Sequence, residues 1–180
     1  MKYFGVIGCD PGGTGAIARI TNDHQVDLIH THKELIKSAP SWVPAPSMYR
    51  VGMEAVGPQP HDTPVTAWGF GDNRGTMFGI LIAKGFTIEL VDSNTWKAEF
   101  RLLSPGVDHS QKKRDAVVVA KELFPNARVI LATADALLIA EYMWRKTFGE
   151  LTHGQDKNRI LKPGTGITRI VRRDGTGREW

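Results

Sequence analysis

The stretch from Val6 to Ile20 restricts the fold more than any other part of the chain. An apolar run, Val6-Ile7-Gly8-Cys9, delivers a single carboxylate, Asp10, to its end. Pro11, Gly12, Gly13, Thr14 and Gly15 then turn the backbone, and Ala16-Ile17-Ala18-Arg19-Ile20 leads away. Proline presets a turn and glycine adopts backbone angles closed to other residues, so the pattern predicts strand, tight turn, strand. A carboxylate at the edge of a buried strand is costly unless a metal ion or a set of donors pairs with it. Asp10 therefore either caps the turn, as Asp before Pro-Gly often does, or belongs to a charged cluster drawn from distant segments.

Two further acids occupy comparable places. Arg50-Val51-Gly52-Met53-Glu54-Ala55-Val56 has a strand pattern that reaches Glu54. Asp135 falls in the first turn of a final helix that Thr133 is expected to cap, a position where the helix dipole favours a carboxylate. Taken singly, Glu54 reads as a strand-end surface acid and Asp135 as a helix N-terminal charge. If the strands ending in Asp10 and Glu54 are neighbours and the helix docks across them, the three acids converge. Such a group repels itself at neutral pH and calls for divalent cations. Two hard ions, roughly 4 Å apart, are the common equipment for phosphodiester hydrolysis.

The remaining segments alternate. Val26 to His30 reads as a third strand, Pro40 to Pro46 as a proline-punctuated loop, and Gly57 to Pro64 as an exposed loop of the kind that often carries function. A helix over 67–84 places Phe70, Arg74, Met77 and Leu81 on one face, with interior glycines at 69, 71, 75 and 79. Phe86 to Val91 is a strand, followed by caps at Asp92-Ser93-Asn94 for a short helix carrying Trp96 and Lys97. Ser110 is expected to cap a helix with Ala116, Val117, Ala120, Leu123 and Phe124 on its core side, and Val129-Ile130-Leu131 is a brief apolar run. Strands first and alternating helices afterwards predict a mixed α/β sandwich with a partly antiparallel sheet.

Length and charge add bounds. At 180 residues and 41% hydrophobic, the chain suits one core. It shows neither a long apolar span nor a signal peptide, and Cys9, its single cysteine, excludes a disulfide framework or a cysteine zinc site, so a reducing, cytoplasmic setting is expected. The formal charge of +4 resides in residues 152–180, where seven basic residues face three acids. A basic, Gly-rich tail suits a polyanion such as nucleic acid, or else a solvated terminus. Val171 to Gly177 has the makings of a hairpin with an Asp-Gly turn.

Taken in order, these segments resemble the RuvC-like Holliday junction resolvases of the ribonuclease H superfamily, particularly their phage-encoded branch. The resemblance rests on Gly8-Cys9-Asp10-Pro11-Gly12-Gly13-Thr14-Gly15-Ala16, Met53-Glu54-Ala55-Val56 and Val91-Asp92-Ser93-Asn94-Thr95-Trp96-Lys97. It continues through Gln111-Lys112-Lys113-Arg114, Glu122-Leu123-Phe124-Pro125 and Ala134-Asp135-Ala136-Leu137-Leu138-Ile139-Ala140. Covering roughly residues 3 to 146, it implies a ribonuclease H-like fold with a central mixed five-stranded sheet flanked by helices; a resolvase domain is expected over 1–151, and the tail of 152–180 lies outside the resemblance. It also implies a homodimer, catalysis with two Mg2+ or Mn2+ ions, and paired nicks in four-way DNA junctions. Asp10, Glu54 and Asp135 would then be metal ligands, and Lys112 or Lys113 would meet the phosphate near the metals. Lys97, Arg114, Gln59, His61, Arg172 and Arg173 are expected to contact DNA, and the helix after residue 67 to pack across the dimer. His109 is a candidate proton carrier.

One position departs from the family, whose last helix commonly supplies a second acid three residues before the first. Here that residue is Ala132, and Asp92 and Asp115 fit the pattern poorly. A catalytically impaired variant is therefore expected, favoured as an engineered Asp-to-Ala change. Two rivals stand beside the nuclease: a module that binds junctions without cutting, and an actin-like nucleotide-binding protein whose phosphate loop Asp10 to Gly15 resembles. The second needs two such domains around a cleft, more than 180 residues allow.

Overall fold

The computed structural model of the chain describes residues 3–38, 45–57, 62–103, 105–149 and 159–161. Strands β1 (Gly5–Asp10) and β2 (Ala16–Thr21) form an antiparallel hairpin in which Asp10 lies opposite Ala16. Strand β3 (Val26–Thr31) pairs antiparallel with β2, and helix α1 (His32–Ser38) follows it. Strands β4 (Tyr49–Glu54) and β5 (Ile88–Val91) add in parallel on the other side of β1. This is the five-stranded mixed sheet expected. A sixth short strand, β6 (Arg159–Leu161), runs antiparallel to β5, giving the order β3-β2-β1-β4-β5-β6.

Side-chain alternation along the strands builds two cores, because successive residues point to opposite faces. One face carries Ile7, Cys9, Ile17, Val51, Met53 and Ile88 under helix α2 (Pro64–Ala83), which contributes Met77 and Leu81. The other carries Val6, Ala16, Ala18, Ile20 and Val91 under helices α3 (Ser93–Glu99), α4 (His109–Leu123) and α5 (Ala134–Phe148). Helix α5 is buried along Ala134 to Met143. It lies so close to β1 that a Cβ on Gly8 would sit 2.1 Å from the Ala140 nitrogen and 2.4 Å from the Ala136 oxygen. Glycine at position 8 thus sets how near the start of α5 comes to the end of β1.

The buried charges around α5 are paired. Arg145 donates from Nε to Glu141 at 2.8 Å and from Nη1 to Glu99 at 3.0 Å, while His24 lies 2.6 Å from Glu141. Glu89 of β5 meets Arg50 at 2.7 Å and also Lys146. Removing one member of such a pair strands a buried charge and typically costs about 3–5 kcal/mol.

Several local expectations shift. Helix α4 starts earlier than Ser110: the Asp108 carboxylate accepts from the Gln111 amide and is the N-cap. Thr133 does stand at the start of α5, but its hydroxyl bonds Ile130 rather than the helix amides. The run Val129 to Leu131 forms no strand: Val129 and Ile130 are irregular, and Leu131 opens the turn before α5. Helix α2 begins at Pro64, with Thr63 accepting from the Thr66 amide. The Asp-Gly hairpin at 171–177 lies outside the described residues. No helix among the described residues is long and apolar enough to cross a membrane.

Candidate active site

The parallel pairing of β1 with β4 sets Asp10 and Glu54 side by side, since Cys9 and Met53 are register partners and one residue follows each. Both side chains fall on the face that α5 covers. The close approach of α5 at Gly8 brings Asp135, in its first turn, to the same end of the sheet. All three acids are buried, at 7%, 5% and 6% exposure, which excludes the reading of Glu54 and Asp135 as ordinary surface charges. Together they line one open cavity of about 670 Å3.

The first turns of α4 supply the opposite charge. His109, Lys112, Lys113 and Ala116 line the cavity at the i, i+3, i+4, i+7 spacing of one helix face. Lys113 is half-buried and its ammonium bonds Asp135 Oδ2. Lys112 is exposed at the rim. Arg114 points elsewhere, its guanidinium donating to Gln111 Oε1 at 2.7 and 3.1 Å. From α3, Lys97 reaches Glu54 Oε1 at 3.3 Å, so its nearest partner is a carboxylate. Gln59, His61, Arg172 and Arg173 lie outside the described residues.

Electrostatics record the crowding of the acids. Burial raises the Asp10 carboxyl from 3.8 to about 6; Lys113 pulls it down, Asp135 and Glu54 push it further up, and the Gly12 amide, donating to Oδ1 at 2.9 Å, lowers it. Burial pulls the Lys113 ammonium down, but Asp135, Asp10 and Glu54 outweigh that, and its pKa stands above the ordinary lysine value. Lys113 is thus the counter-charge to three carboxylates. Burial pushes the neighbouring Cys9 thiol far up, which leaves it an inert core side chain.

Hard carboxylate oxygens are the donors that Mg2+ and Mn2+ prefer, so the chemistry of Asp10, Glu54 and Asp135 fits such ions. Among the described residues, however, no three His, Cys, Asp or Glu side chains are drawn close enough to ligate one ion. Ala132 is half-buried in the turn before α5 and is not among the residues that line the cavity. Asp92 is occupied as the N-cap of α3, accepting from the amides of Asn94 and Thr95, and Asp115 accepts from Gln111 at 2.6 Å. Asp62 lines the cavity as a fourth carboxylate residue that spacing did not single out.

Two features escaped sequence reasoning. Trp96 is fully buried as expected of a core residue, yet its indole Nε1 donates to Glu54 Oε1 at 3.1 Å, beside Ser93 Oγ at 2.7 Å. A buried tryptophan close after a strand-end acid is the available signal, because its N–H needs an acceptor. Asn73 of α2 donates to the carbonyls of Gly12 and Gly13 at 3.4 and 2.8 Å, tying the turn after Asp10 to that helix. Nothing in the helical periodicity marks Asn73.

No protein-family model matches the sequence, and no curated protein sequence matches it either. Solved structures do. The T. thermophilus RuvC structure in complex with a Holliday junction substrate superposes with a TM-score of 0.56 at 14% identity, covering 81% of this chain and 96% of that one. A second Thermus thermophilus RuvC structure gives 0.55 at 13% identity over the same shares. The fold of the chain is therefore RuvC-like, a ribonuclease H-like arrangement of a mixed sheet flanked by helices.

Proposed function

We propose that the chain is a metal-dependent, structure-specific endonuclease that resolves four-way DNA junctions by paired nicks. The observation that carries this reading is the cavity itself. On a RuvC-like fold, Asp10, Glu54 and Asp135 line one opening together with Lys97, Lys112 and Lys113. One of the similar structures holds a Holliday junction substrate, and the same class of branched DNA is the substrate proposed here.

Asp10, Glu54 and Asp135 would hold Mg2+ or Mn2+, whose chemistry is to activate water against a phosphodiester and to stabilise the leaving oxygen. The chain's own groups do the rest. Lys113 neutralises the acids through its ion pair with Asp135, and with metal bound it would be available to the scissile phosphate. Lys112 at the rim and Lys97 guide the phosphate backbone, and Gln59, His61 and Arg114 are proposed as further DNA contacts. His109, which lines the cavity from the same α4 face, would carry a proton. Paired nicks need two sites, so a homodimer is part of the proposal. The outer face of α2 suits it: Val65 and Trp68 are 80% and 79% exposed, and Gly69, Gly71, Gly75 and Gly79 leave open space above the helix. Residues 1–151, with β6 of the tail at the edge of their sheet, are proposed as the nuclease domain, of the phage-type branch. The tail of 152–180, with Arg172 and Arg173, adds charge for DNA.

A second reading, a module that binds junctions without cutting, is favoured by the absence of a three-ligand group among the described residues and by Ala132. Incubation with a synthetic four-way junction and with a linear duplex of the same sequence, in Mg2+ and in Mn2+, decides between them. Symmetric nicks confined to the junction, slow because Ala132 stands where an acid is expected, and lost in Asp10→Asn, are the expected result. Junction binding with no nicks in either metal identifies the binding module, and cleavage gained by Ala132→Asp would mark position 132 as the missing ligand. Equal cutting of linear duplex refutes structure specificity.

A further inference from the structure

Glu54 differs from the other two acids in how it is held. Its Oε1 accepts from Ser93 Oγ at 2.7 Å, from Trp96 Nε1 at 3.1 Å and from Lys97 Nζ at 3.3 Å. All three donors stand on α3, a helix of seven residues. That helix is fixed at its start by Asp92, which accepts from the Asn94 and Thr95 amides and the Thr95 hydroxyl. It is fixed to the sheet by Trp96, which is wholly buried. Strand β5 carries the helix in at the right height, because the Ala55 amide, one residue after Glu54, donates to the Val91 carbonyl at 2.7 Å.

We infer that Ser93 and Trp96 are positioning residues for metal binding, which clamp one oxygen of Glu54 so that only the other is offered to a cation. A carboxylate oxygen has two lone-pair directions, and three donors use both at Oε1. Among the described residues Oε2 accepts no hydrogen bond. The clamp therefore fixes the carboxylate plane and forces Glu54 to bind through a single oxygen, facing the cavity it shares with Asp10 and Asp135. A free carboxylate on a strand end would swing between one- and two-oxygen binding and spend ordering entropy on every ion it captured. Partners of this kind orient a ligand, and their loss typically weakens metal affinity by about 10–100-fold.

This inference rests on the proposed metal-binding role of the three acids, and its test separates the two. Mn2+ binding to the full chain is read from the loss of the free-ion paramagnetic resonance signal, and folding is followed separately by thermal melting. Ser93→Ala and Trp96→Phe each remove one donor, while Ser93→Thr keeps the hydroxyl. Wild-type and Ser93→Thr protein should bind Mn2+ alike, with Ser93→Ala and Trp96→Phe weaker by about tenfold or more. If Ser93→Ala, melting like the wild type, binds within about twofold of it, the clamp is overturned and the three-acid site stands. Should Trp96→Phe fail to fold, the serine pair alone decides. Wild-type protein that takes up no Mn2+ overturns the site, and the clamp with it.

Discussion

Replacing Asp10 with asparagine should make the metal-free protein more stable, and only above a definite pH. In the unfolded chain the carboxyl titrates near 3.8, and in the fold near 6. Between those values the folded state holds the extra proton, so unfolding releases it and stability falls as pH rises through this window. Below about pH 4 both states are protonated and nothing is lost; above the folded value the loss is complete. The two pKa values place it at up to about 3 kcal/mol, and local relaxation reduces it to roughly 1–3 kcal/mol. Asparagine is neutral throughout and its oxygen still accepts the Gly12 amide. For a chain of this size the gain corresponds to roughly 3–10 °C in Tm. Thermal melts of wild-type and Asp10→Asn protein, in chelator, should coincide near about pH 4 and diverge above pH 6. Saturating Mg2+ should close or reverse the gap, because an ion at about 100 times its Kd stabilises the fold by about 2.7 kcal/mol. A variant that melts lower than the wild type above pH 6 in chelator, or a difference independent of pH, would refute the cost of burying a charged Asp10 at this site.

Two further outcomes follow from named contacts, and a third concerns the basic tail. Gly8→Ala drives a methyl into the α5 backbone at 2.1 Å, so it should destabilise by about 3 kcal/mol or more in a denaturant melt and weaken Mn2+ binding by shifting Asp135. Lys113→Met removes the counter-charge, so it should push the Asp10 titration above about 6 by NMR and abolish junction cleavage, while Mn2+ meets less competition and binds at least as tightly. Arg172→Ala with Arg173→Ala should reduce the salt slope of duplex binding by about 2 if both meet phosphate; an unchanged slope makes the tail a bystander.

Much of the framework was legible because it is local. Glycine and proline after Asp10 announce a turn, and the period-two and period-3.6 patterns mark the strands and the longer helices. The three acids stood out by their place at the ends of apolar segments. Their meeting in one cavity was legible only as a condition and through the family resemblance, since spacing alone does not give the β1–β4 register or the contact between Gly8 and the α5 backbone, which join residues far apart in the chain. Spacing likewise gives neither the pairing of Glu54 with its donors on α3 nor the reach of Asn73 to the turn at Gly13. Helix α1 was missed because its seven residues follow β3 without a breaker. Strand β6 was missed because three residues carry no period, and only pairing with β5 makes them a strand. The cap of α4 was misplaced by two residues because Asp108 and Ser110 are both good caps, and the Gln111 amide chooses Asp108.

The measurement that bears most directly on the account is anomalous diffraction from a crystal soaked in Mn2+. The account predicts metal among Asp10, Glu54 and Asp135, with Glu54 bound through Oε2 and the Lys113 ammonium displaced from Asp135. A crystal at saturating Mn2+ with Lys113 still on Asp135 and no ion between the three carboxylates would contradict it.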